Sequence, residues 1–424
     1  MFRIRTASML MVCLALGLGS ASAQTPTAPK IGFDEAVQRA VANNPTVAQA
    51  ATAITRAEFL VRQAQAGTRP TVNAQFSNST LDSEVAFSGG VAQPRNQSTI
   101  SAELAAPLLS LSRTAAVGQA RDQVHIAQLS TDATRRDIAI AAAQTYLGVI
   151  VSQRAIEVDQ RAVETARAHL TYSQQRLQAG AGSRLNELRA ATALSTSEMR
   201  LENSRLALRR AQEALGVLVG ANTPIDAAAE PAFDIPAAVN EQEWALARAD
   251  VRVLQATQRA AERIVRDSWR DMFGTASASF RPQVVVPAGL FQPSNTWRLT
   301  VSFSQPIFEG GLRKAVRGVR EIQVEQTRFA LSGVMIRARS EVRIAGDAIS
   351  SQELALASAK LAATQAADVL RITTSAFEVG GTTNIEVIDA QRSARDADAT
   401  AAFAEDALRR AKLDLLVAIG RFPR

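Results

Sequence analysis

The sequence has few of the residues that build redox and catalytic sites. Its 424 residues include one cysteine, Cys13, and two histidines, His125 and His169, and aromatic residues make up 5% of the chain. Neither histidine has a partner at metal-ligand spacing, and no nucleophile–base set or phosphate-binding loop is visible. We therefore expect a protein that is not an enzyme and that binds no cofactor or metal ion.

Long apolar runs are missing everywhere except near the N-terminus. There, Arg3 and Arg5 precede an apolar run from Met9 to Leu18, and the small residues "ASA" follow at 21–23. This order predicts a secretory signal peptide over residues 1–23; a buried N-terminal helix is the alternative. Cys13 would leave with the signal, so the mature chain would have no disulfide, thiolate metal site or cysteine nucleophile.

The mature chain also lacks the roughly 18 consecutive apolar residues of a membrane-spanning helix. An exported chain of this kind is soluble in the periplasm, secreted, or a β-barrel of an outer membrane. Its formal net charge of +7 falls by two when Arg3 and Arg5 are removed. The remaining basic residues are mostly arginines interleaved with Glu and Asp, a pattern typical of a solvated helix face. We therefore expect no nucleic-acid partner.

Proline is absent from two long tracts, residues 108–222 and 307–422. Because proline costs roughly 3 kcal/mol inside a helix, these tracts, rich in Ala, Leu, Arg, Gln and Glu, predict long helices. Glycines cluster at one internal point of each tract, which predicts a helix, a turn and a returning helix. The hairpins cover about 111–220 and 310–420, with tips at about 178–186 and 378–386.

The two hairpins belong to a tandem duplication. The sequence "ALRRAQEALGVLVG" at 207–220 returns as "ALRRAKLDLLVAIG" at 407–420, 200 residues later. The same offset aligns Gly180 with Gly380 and Leu188 with Ile388. We therefore expect one structural repeat over 24–222, a linker over 223–240 and a second repeat over 241–424.

Each repeat also carries two strand candidates, within about 70–107 and 274–306. In the last of them, Leu299, Val301 and Phe303 alternate with Thr300 and Ser302. Such alternation fits either a soluble sheet on a core or a membrane barrel with a polar lumen. Small Ser and Thr on the polar face and the lack of a second layer favour the barrel. Four strands are fewer than the minimum of about eight, so two or three chains must share one barrel.

The order of strand pair, long hairpin, strand pair and long hairpin, behind a signal peptide, resembles the TolC family of outer-membrane efflux and secretion channels. Local stretches support the resemblance. They are "DEAVQRAVANNPTV" at 34–47, "QPIFEGGLR" at 305–313 and "VGGTTNIEVIDAQ" at 379–391. The resemblance covers nearly the whole mature chain.

Several expectations follow from the resemblance alone. It implies an α+β membrane protein that forms a homotrimer, with a twelve-stranded β-barrel in the lipid of the outer membrane and a twelve-helix α-barrel in the periplasm. It implies passive export of substrates, including type I secretion, that an inner-membrane pump of resistance-nodulation-division (RND) or ABC type delivers through a periplasmic adaptor. A periplasmic coiled-coil adaptor or scaffold without a pore is the rival hypothesis.

The resemblance also assigns candidate site residues to the hairpin tips, where such channels close and where adaptors dock. The tip candidates are Gly180, Gly182, Ser183, Arg184, Asn186, Gly380, Gly381 and Thr382. The glycines also serve the turns themselves. Glu386 and Asp389 correspond to an acidic pair at the channel entrance, which a trimer would arrange as two rings. Because both lie near a helix N-terminus, simple helix capping is the alternative.

One feature of the family is missing at the tips. An acidic residue at the first tip and a basic residue at the second can form a salt bridge that locks the hairpins, but this chain has Asn186 and Thr382 at those positions. Arg184 lies nearby and is the available substitute. Opening by rupture of that salt bridge is therefore not expected here.

Overall fold

Four long strands and four very long helices make up most of the protein. The computed structural model describes residues 28–236 and 240–422, so the predicted signal peptide lies outside the described residues. The elements in chain order are β1 (Lys30–Ile31), α1 (Phe33–Asn43), α2 (Pro45–Ala66), β2 (Thr71–Thr80), β3 (Val85–Phe87), β4 (Gly90–Gln93), β5 (Asn96–Leu109), α3 (Leu111–Gln178), α4 (Arg184–Val219), β6 (Asp226–Ala227), α5 (Glu241–Ala247), α6 (Ala249–Asp267), β7 (Thr275–Val286), β8 (Asn295–Ser304), α7 (Leu312–Glu378) and α8 (Asn384–Ala418). Within these two ranges, no helix is both long and apolar enough to cross a membrane.

The long strands form one antiparallel sheet in the order β2–β5–β7–β8, so each repeat supplies two neighbouring strands. Its apolar face is uncovered. One cross-strand row consists of Val72, Leu104, Phe280 and Leu299, and these side chains are between 38% and 71% exposed. The outer edges of β2 and β8 pair with no other strand of the described residues. The sheet therefore leaves both an apolar face and two backbone edges open.

Each strand pair leads directly into a helical hairpin. Helix α3 has 68 residues and α7 has 67, so each is on the order of 100 Å long. The returning helices α4 and α8 have 36 and 35 residues. Helix α3 begins where the Ser110 side chain accepts a hydrogen bond from the Arg113 backbone N–H, and this cap lies one residue beyond β5. The chain is therefore a helix-rich α+β protein.

Two buried clusters near the middle of α3 form the core, and one of them joins the two repeats through Leu147 and Leu413. Tyr146 is fully buried and donates its hydroxyl to the carbonyl of Ala229 at 2.8 Å. Nearby, β1 pairs in parallel with β6. Residues of the predicted linker over 223–240 take part in this core, namely β6 and the buried Ile225. A strand of two residues is too short to show a periodic pattern.

Candidate functional site

The two hairpin tips share one backbone design. Helix α3 ends at a turn in which Gly180 has a φ of +72°, and α7 ends at a turn in which Gly380 has a φ of +81°. These left-handed conformations favour glycine because it has no Cβ. Ser183 caps α4 by accepting a hydrogen bond from the Leu185 N–H at 3.2 Å.

The second tip has a fuller cap. The Thr383 side chain accepts from the backbone of α8, and the Thr383 N–H donates to Glu386 Oε2 at 3.4 Å. This reciprocal pair is a capping box, which satisfies two donors at the helix start. Glu386 therefore has the capping role that was the alternative to an acidic ring, while Asp389 is exposed one turn further along the helix. Capping does not prevent either carboxylate from facing a channel.

Side chains from both hairpins meet just above the tips in what we term the tip clasp: His169, Tyr172, Arg176, Phe377 and Asn384. His169 Nε2 lies 2.7 Å from Asn384 Oδ1, and both residues are buried. Tyr172 donates its hydroxyl to the Glu378 carbonyl at 3.2 Å, and Arg176 donates to the Phe377 carbonyl at 3.2 Å. Helix α3 of the first hairpin is thereby fastened to the end of α7 and the start of α8.

An aromatic contact strengthens the tip clasp. The Phe377 ring is buried, with its centroid 5.4 Å from that of His169 and 5.8 Å from that of Tyr172. The Arg176 guanidinium carbon lies 5.4 Å from the same ring centroid. Aromatic and cation–π contacts of this geometry contribute about 0.5–1.5 kcal/mol each beyond simple burial. The second hairpin therefore inserts one ring into a polar and aromatic socket on the first.

The predicted tip residues divide into those that join the hairpins and those that do not. Asn186 takes part through its backbone, because its carbonyl accepts from Asn384 Nδ2 at 3.3 Å. Arg184 does not replace the missing salt bridge. Its guanidinium pairs with Glu187 three residues along the same helix, and its side chain is mostly exposed. Sequence proximity alone suggested Arg184, whereas the i, i+3 geometry of a helix supplies a nearer partner.

A buried ion pair connects the hairpins further from the tips. Arg395 of α8 donates to Asp159 Oδ1 of α3 at 2.9 and 3.0 Å. Ser204 of α4 donates to the other oxygen of that carboxylate at 2.5 Å. The Asp159 side chain is 3% exposed and that of Arg395 is 26% exposed. The bridge therefore ties three helices together around one buried negative charge.

A groove of about 680 Å³ opens between the hairpins at this level. Helices α3, α4, α7 and α8 all line it, and Ile385 and Ile388 are its lining residues near the second tip. Glu386 and Asp389 are not among the lining residues. Because neighbouring residues of a helix point about 100° apart, the two carboxylates lie on a different face of α8 from the groove.

The sequence profile described as outer membrane efflux protein matches residues 36–221 and 270–421, which include both strand pairs and both hairpins. The chain belongs to the outer membrane efflux protein family.

Solved structures of outer-membrane and channel proteins have the same fold. The chain is similar to CusC, with a TM-score of 0.80 at 16% identity over 93% of each chain. It is similar to VceC from Vibrio cholerae, with a TM-score of 0.75 at 16% identity over 92% of this chain and 96% of that one. For the open state of the MtrE channel from Neisseria gonorrhoeae, the TM-score is 0.77 at 20% identity over 92% and 88%. The sequence has no significant match among curated proteins.

The match to this family confirms the predicted resemblance to TolC-like channels. The protein is thus an efflux protein of the outer membrane. In the part of the chain that the structure describes, no cluster of three His, Cys, Asp or Glu side chains is placed to hold a metal ion. The site is therefore built from packing, hydrogen bonds and charge.

Two glycines that look alike in the sequence have different roles in the efflux protein. A Cβ on Gly182 would lie 2.7 Å from the Leu177 backbone nitrogen, whereas one on Gly381 would lie 3.4 Å from the Ala376 carbonyl oxygen. We expect Gly182→Ala to destabilise the first tip by about 2 kcal/mol, as overpacking does, and Gly381→Ala to be nearly neutral. Limited proteolysis of each turn measures this, and equal cleavage of the two variants would contradict it.

The tip clasp should respond to pH through His169. Burial lowers the pKa of His169, and the hydrogen bond to Asn384 offsets only part of that effect. Because the folded clasp then binds a proton more weakly than the unfolded chain, its stability holds above the ordinary pKa of about 6.5 and declines as pH falls below it. We expect hydrogen-exchange protection at the tips to be lower at about pH 5.5 than at about pH 7.5.

The other histidine provides the matched control. His125 lies on the same helix and is exposed. We expect His169→Gln to abolish the pH dependence of tip protection and His125→Gln to preserve it. The same pH dependence in both variants would assign it to another group.

Proposed function

We propose that three copies of this efflux protein form a channel with a twelve-stranded β-barrel and a twelve-helix tunnel. The open sheet carries this proposal, because the described part of one copy leaves an apolar face exposed and two strand edges unpaired. Closing the edges against further copies satisfies the backbone groups, and lipid covers the apolar face. Three copies supply twelve strands, which fits the family, although strand number alone also allows two.

The proposed channel conducts its cargo passively. An inner-membrane pump of RND or ABC type expels the substrate, and a periplasmic adaptor docks on the hairpin tips to connect the pump with the tunnel. Support comes from the family and from the length of the hairpins, which at about 1.5 Å per residue extend far from the sheet.

Closure takes place at the tips. In each protomer the tip clasp holds the two hairpins together, and an adaptor that separated them would have to break the His169–Asn384 and Arg176–Phe377 hydrogen bonds. Glu386 and Asp389 are exposed on a face of α8 away from the groove. Around a threefold axis they would form two rings of carboxylates, which attract cations and repel anions.

Single-channel recording in planar bilayers tests both the channel and its acidic entrance. We expect the wild-type protein to form cation-selective pores, and Glu386→Gln/Asp389→Asn to reduce the cation preference by about threefold. Thr383→Ala is the matched control, because it removes the hydroxyl that accepts from the backbone of α8 and leaves the charge unchanged.

The outcomes separate the two parts of the proposal. Pores whose selectivity changes in the charge variant and not in Thr383→Ala support the rings. Pores with the same selectivity in all three proteins keep the channel and leave the carboxylates as helix caps. Folded, detergent-extracted protein that forms no pores would overturn the channel and favour a scaffold.

A further inference from the structure

The four strands of the sheet contain only three charged residues, Glu103, Arg281 and Arg298. All three lie on the polar face, in one row across the sheet. Asn73 pairs with Glu103 between β2 and β5, and Arg281 pairs with Arg298 between β7 and β8. The two halves of the row meet at the β5–β7 pairing.

The register between β5 and β7 fixes that junction. Leu104 pairs with Phe280, and Ser101 pairs with Gln283. Counting inward from both pairs puts Glu103 opposite Arg281. The complete row is therefore Asn73, Glu103, Arg281 and Arg298. We call it the charged row.

Glu103 and Arg281 carry opposite charges, but the pairing of Arg281 with Arg298 does not favour the stability of one protomer. Like charges directly opposite each other on neighbouring strands are destabilising, and the α-carbons of such a pair are only about 5 Å apart. Arg281 and Arg298 are both exposed. Among the described residues, neither guanidinium has a carboxylate within 4.0 Å; Arg281 donates instead to Gln75 Oε1 at 3.4 Å. The row carries two positive charges and one negative charge, and this excess of positive charge indicates a site for a negative group from outside the protein.

We propose that the charged row forms an anion-binding belt inside the barrel. This inference rests on the proposed trimeric channel, in which the apolar face meets lipid and the polar face lines the water-filled lumen. Three copies place six arginines and three glutamates in the belt, so its net charge is positive. The belt would attract chloride and the carboxylate or phosphate groups of cargo, because guanidinium groups bind such oxyanions in bidentate geometry.

The belt and the acidic entrance would then act in series with opposite preferences. A measurement of the belt alone requires a background in which the entrance is neutral. We therefore choose Glu386→Gln/Asp389→Asn as the parent protein. Reversal potentials under a KCl gradient, at roughly 0.1 M salt where the Debye length is about 10 Å, give the chloride-to-potassium permeability ratio.

Charge changes of both signs in this parent test the belt. We expect Arg281→Gln/Arg298→Gln to lower the chloride-to-potassium ratio by about threefold, and Glu103→Gln to raise it. Arg281→Lys/Arg298→Lys keeps the charge and should keep the ratio. Higher salt should shrink all these differences because it screens the charges.

The outcomes distinguish a failed belt from a failed channel. Opposite shifts in the two charge variants support the belt. If the double arginine variant and Glu103→Gln both form pores with the selectivity of the parent protein, the belt is overturned and the channel is left intact. If the double arginine variant does not assemble, the single variants test the belt. Arg298→Gln should then lower the chloride-to-potassium ratio and Glu103→Gln should raise it. Absence of pores from the folded wild-type protein overturns the proposed channel and the belt with it.

Discussion

Replacing Arg395 by methionine is expected to loosen the packing of the two hairpins by about 3–5 kcal/mol. That is the usual cost of removing one partner of a buried ion pair. Among the described residues, the carboxylate of Asp159, with 3% of its side chain exposed, would keep only the Ser204 hydroxyl as a donor. Hydrogen exchange of α4 and α8 near the bridge measures the loss, and about 3 kcal/mol corresponds to roughly 100-fold lower protection.

Replacing the other partner of the ion pair should cost less stability. In Asp159→Leu, the Arg395 guanidinium loses one of its two carboxylates but keeps Asp396 at 2.7 Å, and its side chain is 26% exposed. The double variant Asp159→Leu/Arg395→Met should recover most of the loss, because replacing both charges with apolar groups removes the desolvation cost.

An exposed pair between the same two helices is the control. Arg161 of α3 and Asp398 of α8 are 3.1 Å apart, but their side chains are 63% and 44% exposed. Arg161→Met should therefore change protection by less than about 1 kcal/mol, as surface ion pairs do. Equal effects of Arg395→Met and Arg161→Met would show that burial of the Asp159 charge does not govern the bridge.

The sequence specifies this fold unusually well because its signals are long and repeated. The proline-free tract predicts a helix at Leu111–Gln178, where the structure has α3. The alternation from Trp297 to Phe303 predicts a strand, which in the structure is part of β8. A pattern repeated over many residues outweighs local propensity. By contrast, β6 and the hairpin of β3 and β4 involve only two to four residues per strand, too few for any periodicity to show.

The candidate site is less predictable because its contacts cross between the repeats. In the sequence, His169 has no partner at metal-ligand spacing, whereas in the structure it is buried against Asn384, 215 residues later. No spacing rule connects positions so far apart. The charged row likewise requires the strand register, which alternation alone does not provide.

Truncating Phe377 to alanine is the second change with a large expected effect. The ring is 6% exposed and fills the socket formed by His169, Tyr172 and Arg176. Phe→Ala substitutions in buried sites cost about 3–5 kcal/mol through lost transfer free energy and the cavity left behind. We expect the tips to lose roughly 100-fold in hydrogen-exchange protection, while the sheet and the central core keep theirs.

The neighbouring turn offers a matched control, because Val379 is 85% exposed and Val379→Ala removes apolar volume without opening a cavity. We expect this variant to keep wild-type protection at the tips. If the tip clasp holds the proposed channel closed, Phe377→Ala should also raise the open probability in bilayers, since each protomer would lose the contact that joins its hairpins. Lower protection with an unchanged open probability would make the clasp a packing element only. Unchanged protection would show that the ring contributes little, and the hydrogen bonds of His169 and Arg176 would then hold the tips alone.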